Sequence, residues 1–227
     1  MTRQTYLDRR WPETPIFQDI AKQWCADQSR MLLDLVWRGC DLLLHDDLRE
    51  VPFSKHDEAK EESLNYLLAL RIGQCMTGDE PFSMIPQPPE TTKRKRGKGK
   101  SPTPDHGFVP YDFPRSVWPL EGKVLDHGRD LRAYLAEING NFLTGRYATF
   151  SREGAMLGYL LHGDAIATLV EIGNRLKVQL NPHPHFHDRP HRVSVHRRKG
   201  NELRNRLSDF ACNHLVLKIP TVSRSTA

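Results

Sequence analysis

Residues 103–125 read TPDHGFVPYDFPRSVWPLEGKVL. Two short apolar runs within them, GFVPYDF and WPLEGKVL, are strand candidates by their aromatic and β-branched content and by the punctuation between them. Yet Asp105 heads the first run, and Glu121, Gly122 and Lys123 stand inside the second, between Leu120 and the pair Val124–Leu125. A charge placed in a core is costly unless it is paired or holds a cation. The stretch is therefore either a surface turn followed by a surface strand, or two core strands that carry a built charged site.

Working outward, the C-terminal half offers further strands at GAMLGYLLHG (154–163), HRVSVHRR (191–198) and NHLVLKI (213–219), with helices expected at about 128–139 and 164–179. On the N-terminal side, residues 86–104, PQPPETTKRKRGKGKSPTP, are nearly devoid of hydrophobes and read as a solvated, flexible basic loop. Before it, Ile20, Trp24, Met31, Leu35 and Leu42 recur at helical spacing over about 14–45. Leu64, Leu68, Ile72 and Cys75 do so over about 54–76, where Ser54 suits the cap and Asp57 and Glu58 the first turn. Helices first, then strands with helices between them, predict an α/β (α+β) domain over 51–227 with an N-terminal helical extension over 1–50.

The chain has 227 residues, 38% hydrophobic and 27% charged, so a sizeable core is expected. Its net charge of +5 favours an anionic partner. No apolar run of a secretory signal opens the sequence and no stretch approaches a membrane span. Cys25, Cys40, Cys75 and Cys212 are too dispersed for a zinc ribbon and read as free, mostly buried thiols in a reducing cytoplasm. Neither a phosphate-binding Gly-x-x-x-x-Gly-Lys-Ser/Thr nor a Gly-x-Ser-x-Gly is present.

Phosphodiester hydrolysis needs a divalent cation that binds the phosphate, activates a water and stabilises the leaving oxygen. Magnesium takes hard oxygen ligands and usually only one or two protein carboxylates. One acid from each of two adjacent strands is a minimal site. Period-two geometry puts Glu121 and Lys123 on one face, and Asp105 can meet Glu121 across the strand pair. Lys123 is then placed beside the metal-bound water, where its charge helps orient and deprotonate it, while Gly122 leaves its carbonyl free as a further ligand.

Pro104-Asp105, followed sixteen residues later by Glu121-Gly122-Lys123, resembles the motif of the PD-(D/E)XK restriction-endonuclease-like nuclease superfamily. The resemblance implies a mixed central sheet flanked by helices, with the active site at one end and Mg²⁺ or Mn²⁺ as cofactor. Asp105, Glu121 and Lys123 would be the catalytic residues. Asp105, Glu121 and Gly122 would hold the metal, joined by an acid from the preceding helix. Glu61 fills that place, because it shares the stripe of Leu64 and Leu68. Glu62 points more to the side, and all three of Glu58, Glu61 and Glu62 also suit a helix N-terminal half through its dipole. Asp112 is the reserve for Asp105.

Nucleic-acid contacts are expected from Lys93, Arg94, Lys95, Arg96, Lys98 and Lys100, from Arg146 beside Tyr147, and from His196, which alternation puts on one face with Ser194. His183, His185 and His187 suit a solvated loop, with zinc binding as the alternative. The sequence thus predicts a metal-dependent nuclease acting on DNA, restrained by a regulatory partner protein or by self-association, with defence against foreign DNA as the setting the resemblance implies. The alternative is a non-catalytic nucleic-acid- or protein-binding subunit with a nuclease-like fold.

Overall fold

The run WPLEGKVL forms a strand, and it lies inside a sheet rather than on the surface. In the computed structural model, which describes residues 26–48, 57–88, 102–111, 116–127, 131–198 and 209–220, seven strands form one mixed sheet. They are β1 (Phe82–Pro86), β2 (His106–Pro110), β3 (Trp118–His127), β4 (Glu153–His162), β5 (Asn181–Pro182), β6 (His191–Arg197) and β7 (Asp209–Lys218). Their order is β1-β2-β3-β4-β7-β6-β5. β1, β2 and β3 are antiparallel neighbours, β3, β4 and β7 run parallel, and β7, β6 and β5 are antiparallel again.

Four helices among the described residues cover the two faces. α1 (Ala26–Leu42, continued by a π-helical turn Leu43–Asp47) and α2 (Asp57–Cys75) precede the sheet, α3 (Arg132–Glu137, continued by a π-helical turn Ile138–Phe142) joins β3 to β4, and α4 (Ala165–Leu176) follows β4. β4 shows why the layers close. Leu157, Tyr159 and Leu161 pack with α1 and α2 on one face. Met156 and Leu160 pack with Tyr134, Ile138, Leu169 and Ile172 on the other. A strand buried on both faces reads as a continuous apolar run, as parallel strands under helices do. The mixed α/β class expected from the sequence is thus present.

Several boundaries differ from expectation for local reasons. α4 stops at Leu176 because Lys177 turns left-handed (φ 56°), its N–H going to Asn174 and that of Val178 to Gly173. At its other end Asp164 caps it, Oδ1 accepting from the Ala167 N–H at 2.8 Å. On α1 the buried stripe runs through Leu32, Val36, Cys40 and Leu43, whereas Met31 is 44% exposed. The run Met31–Trp37 is apolar nearly all round, so its sequence does not say which face turns inward. That face belongs to the same cluster as the sheet residues Phe108, Leu120 and Leu157. β1 lay in no expected strand. Its last residue, Pro86, opens the stretch read as a basic loop, and it pairs with His106 of β2. Cys40, Cys75 and Cys212 are free and buried, as expected; Cys25 lies outside the described residues. No helix among the described residues is long and apolar enough to cross a membrane.

Candidate active site

β2 pairs with only the first three residues of β3, from His106↔Leu120 to Phe108↔Trp118. Among the described residues no strand lies beside that edge of β3 beyond Leu120, and its N–H groups need acceptors. Carboxylates supply them. The Gly122 N–H donates to Asp105 Oδ2 at 2.9 Å, and the Val124 N–H donates to Glu61 Oε2 at 3.2 Å. The Asp105 N–H in turn donates to Glu121 Oε2 at 3.2 Å. Lys123 Nζ lies 2.7 Å from Glu61 Oε1 and 3.0 Å from Glu121 Oε1. Three elements, α2, the start of β2 and the middle of β3, thus bring Glu61, Asp105, Glu121 and Lys123 into one cluster.

Burial makes the charges interact strongly. Glu121 is 4% exposed. Burial first, and then the Asp105 charge, push its carboxyl up to about 8, against the pull of Lys123. Burial also raises Asp105, with Lys123 and the Gly122 N–H opposing it. For Lys123 burial disfavours the charge, but Glu121 and the hydrogen bond to Glu61 outweigh it and hold the ammonium above its ordinary value. Three acids share one ammonium in a poorly solvated place, so they cannot all ionise freely, and Glu121 keeps its proton up to about 8.

Gly122 has a reason beyond its carbonyl. A Cβ there would fall 2.1 Å from Asn65 Oδ1 and 2.9 Å from the Tyr159 ring. Asn65 is itself fixed by the Tyr159 hydroxyl, which donates to Oδ1 at 2.8 Å. Only glycine lets α2 come this close to β3 and carry Glu61 to the site.

Sequence reasoning missed Glu137, and it left Tyr147 open between a stacking residue and a core residue. The Glu137 charge raises both Asp105 and Glu121, so a fourth acid faces the cluster. Its signal was its place between the apolar Tyr134 and Ile138, both fully buried. Tyr147 is buried, and its hydroxyl donates to the Thr103 carbonyl at 3.1 Å, fixing the chain two residues before Asp105.

Other expected residues are elsewhere. Glu62 is exposed, and Arg146 is exposed on the loop beside Tyr147. His196 is not brought to the acids. It lies on β6, three strands from β3, where its Nε2 is 2.6 Å from Ser194 Oγ inside the sheet. Its alternation with Ser194 held, but that face meets β7 residue His214, not the acid cluster. His183 stacks on His191 at 4.6 Å, while His185 and His187 are exposed. Lys93, Arg94, Lys95, Arg96, Lys98, Lys100 and Asp112 lie outside the described residues.

No family model, curated protein or solved structure matches the chain. The site has to be judged on its own chemistry. Among the described residues no three acidic, histidine or cysteine side chains already surround a common point, because Lys123 stands between Glu61 and Glu121. The donor set nevertheless fits a hard divalent cation: carboxylate oxygens, whose ionisation burial opposes and a cation would favour, and a backbone carbonyl.

Proposed function

We propose that the protein is a Mg²⁺- or Mn²⁺-dependent nuclease that hydrolyses phosphodiester bonds in DNA, on a sheet of the restriction-endonuclease-like kind. The observation that carries this reading is the convergence of Asp105, Glu121, Lys123 and Glu61 at the unpaired edge of β3, with the Glu121 carboxyl raised to about 8. Three acids beside one lysine are more than an ion pair uses, and a cation would take up the remainder.

Asp105, Glu121, Glu61 and the Gly122 carbonyl would hold the ion. When bound, it supplies phosphate binding, water activation and stabilisation of the leaving oxygen. Glu61 and Glu121 hold the Lys123 ammonium in place, where its charge would help orient and deprotonate the attacking water. Tyr147 and Asn65 position the site, through Thr103 and through the close approach at Gly122.

A competing reading takes support from the same hydrogen bonds: the acids satisfy the open edge of β3, and the protein only binds. Cleavage of plasmid and single-stranded DNA with Mg²⁺ or Mn²⁺ separates the two. The nuclease reading expects cutting by the wild type and a loss of about 10²- to 10⁴-fold in Glu121→Ala and Lys123→Ala, with circular dichroism unchanged. Variants that cut as fast as the wild type would sink it.

A further inference from the structure

Beside the acid cluster the structure opens into a cleft of ≈ 550 Å³ whose walls belong to α2 and to the ends of β1 and β2. Glu61 and Asp105 line it, so it is continuous with the candidate active site. On the α2 wall, Tyr66 follows Glu62 by one helical turn and is 65% exposed. A large aromatic side chain held out at the rim of a polar cleft is not explained by packing, since the buried stripe of α2 runs through Leu64, Leu68 and Ile72. Across the cleft stand Pro86 and Gln87. Gln87 has φ 48°, a left-handed backbone in a residue that has a Cβ, and its N–H is tied to the Asp105 carbonyl at 2.8 Å. Strain of this kind persists only where the surroundings impose it, and it clusters at ligand sites. A third feature is His106, which also lines the cleft. It is 2% exposed, and among the described residues neither ring nitrogen has a hydrogen-bond partner. Burial without a partner holds it neutral, its pKa pushed down to about 4.

Charge decides which part of a nucleotide belongs here. Glu61, Glu62 and Asp105 would repel a phosphate, so the cleft does not take the backbone. A base is uncharged, has an aromatic face for Tyr66 and presents amino groups that a carboxylate or a glutamine accepts. The cleft also has room for one base and borders the acids that would act on the adjoining phosphate.

We propose that this cleft is a subsite for an unstacked base next to the scissile phosphate, with Tyr66 as its stacking platform and Glu62 and Gln87 reading the base edge. The preferred substrate is then a single-stranded segment, whose bases are free to leave the stack. This rests on the nuclease reading for its neighbour, the phosphate site, but not for its own test.

The test is binding of a short single-stranded oligonucleotide carrying one 2-aminopurine, with Ca²⁺ in place of Mg²⁺, to wild type, Tyr66→Phe and Tyr66→Ala. Stacking quenches the probe. The expected result is quenching with wild type and Tyr66→Phe. Tyr66→Ala should lose it and bind about 5- to 100-fold more weakly. Tyr66 is exposed, so folding is not at risk. No quenching in the wild type, or an Ala variant equal to wild type in quenching and affinity, overturns the proposal. So does a Tyr66→Ala that leaves the oligonucleotide untouched and instead dissociates an oligomer, which would make this rim a protein contact. Quenching by a wild type that never cuts with Mg²⁺ would leave the subsite standing and remove the nuclease reading. Cutting that persists in Tyr66→Ala with unchanged single-strand affinity would do the reverse.

Discussion

Glu121 is an acid that the fold makes costly to ionise, and this gives it a measurable pH signature. Its carboxyl titrates near 4.5 ordinarily and is pushed up to about 8 by burial and by Asp105. A raised carboxyl binds its proton more tightly in the folded chain than in the unfolded one. Its contribution to stability is therefore complete below 4.5 and is lost as pH rises through 8. In chelator, the urea midpoint of the wild type is expected to fall relative to that of Glu121→Gln as pH rises from about 5 to about 8. A difference that stays flat over that range would show that the carboxyl is not raised. This residue was readable in the sequence, because an acid between Leu120 and Val124 in a strand pattern has to be either misplaced or buried. Glu61 was readable too, from its spacing to Leu64 and Leu68. The need for glycine at 122 was not. It arises from Asn65, which meets β3 only because two elements remote in sequence pack face to face.

At the scale of elements, the pair β6–β7 carries a polar ladder inside the sheet. Ser194 Oγ lies 2.6 Å from His196 Nε2 and 2.7 Å from His214 Nε2, and the far nitrogen of His214 meets the Tyr134 hydroxyl at 3.0 Å. Trp37 Nε1 donates to His191 Nδ1, and His191 Nε2 faces Asn213 Oδ1. Burial pushes His191 and His214 down to about 3 from an ordinary 6.5. Both are held neutral, so the stability they contribute is present above 6.5 and is lost as pH falls towards 3. Ser194→Ala leaves two imidazoles without their shared hydroxyl and is expected to lower stability by about 1–3 kcal/mol, read from urea unfolding at neutral pH. A change under a few tenths would mean that the ladder is not satisfied through Ser194.

Another element depends on one side chain. Arg198 donates to the carbonyls of Phe142, Ala148 and Ser151 and lies 4.1 Å over the Phe210 ring. It clamps the loop that brings Tyr147 to Thr103. Arg198→Met is expected to cost about 2–4 kcal/mol, since buried carbonyls lose their donor, and unchanged unfolding would refute the clamp. The strand alternation of HRVSVHRR was legible in sequence, but its partner was not. Which strand lies beside β6 is a matter of pairing across long separations, and His214 shows no pattern of its own. β1 escaped notice because PFSMIP is short and runs directly into the proline-rich stretch.

For the whole molecule, the sheet order explains where a site can form. The antiparallel β1–β2–β3 unit meets the parallel β3–β4–β7 unit at β3, and β2 departs after Leu120 while β4 continues beside β3 as far as His127. One edge of a central strand is thereby left open to side chains from α2 and the head of β2. The mixed class was readable from the alternation of strands and helices, whereas this open edge follows from register and could not be. In sequence the acid Asp105 lies close to the basic tract. Lys93, Arg94, Lys95, Arg96, Lys98 and Lys100 end five residues before Asp105, and they supply more than the whole net charge of +5. If they contact the nucleic-acid backbone, each releases counterions on binding, and the logarithm of affinity falls with the logarithm of salt by about 0.7 per contact on a single strand and about 0.9 on a duplex. Replacing all six by glutamine is then expected to flatten that slope by about 4 on single-stranded and about 5 on duplex DNA. At saturating substrate the cleavage rate should be unchanged, because none of the six belongs to the acid cluster. An unchanged slope would make the tract a solvated loop. A slope that flattens together with a fall in the saturated rate would place it in the catalytic machinery instead.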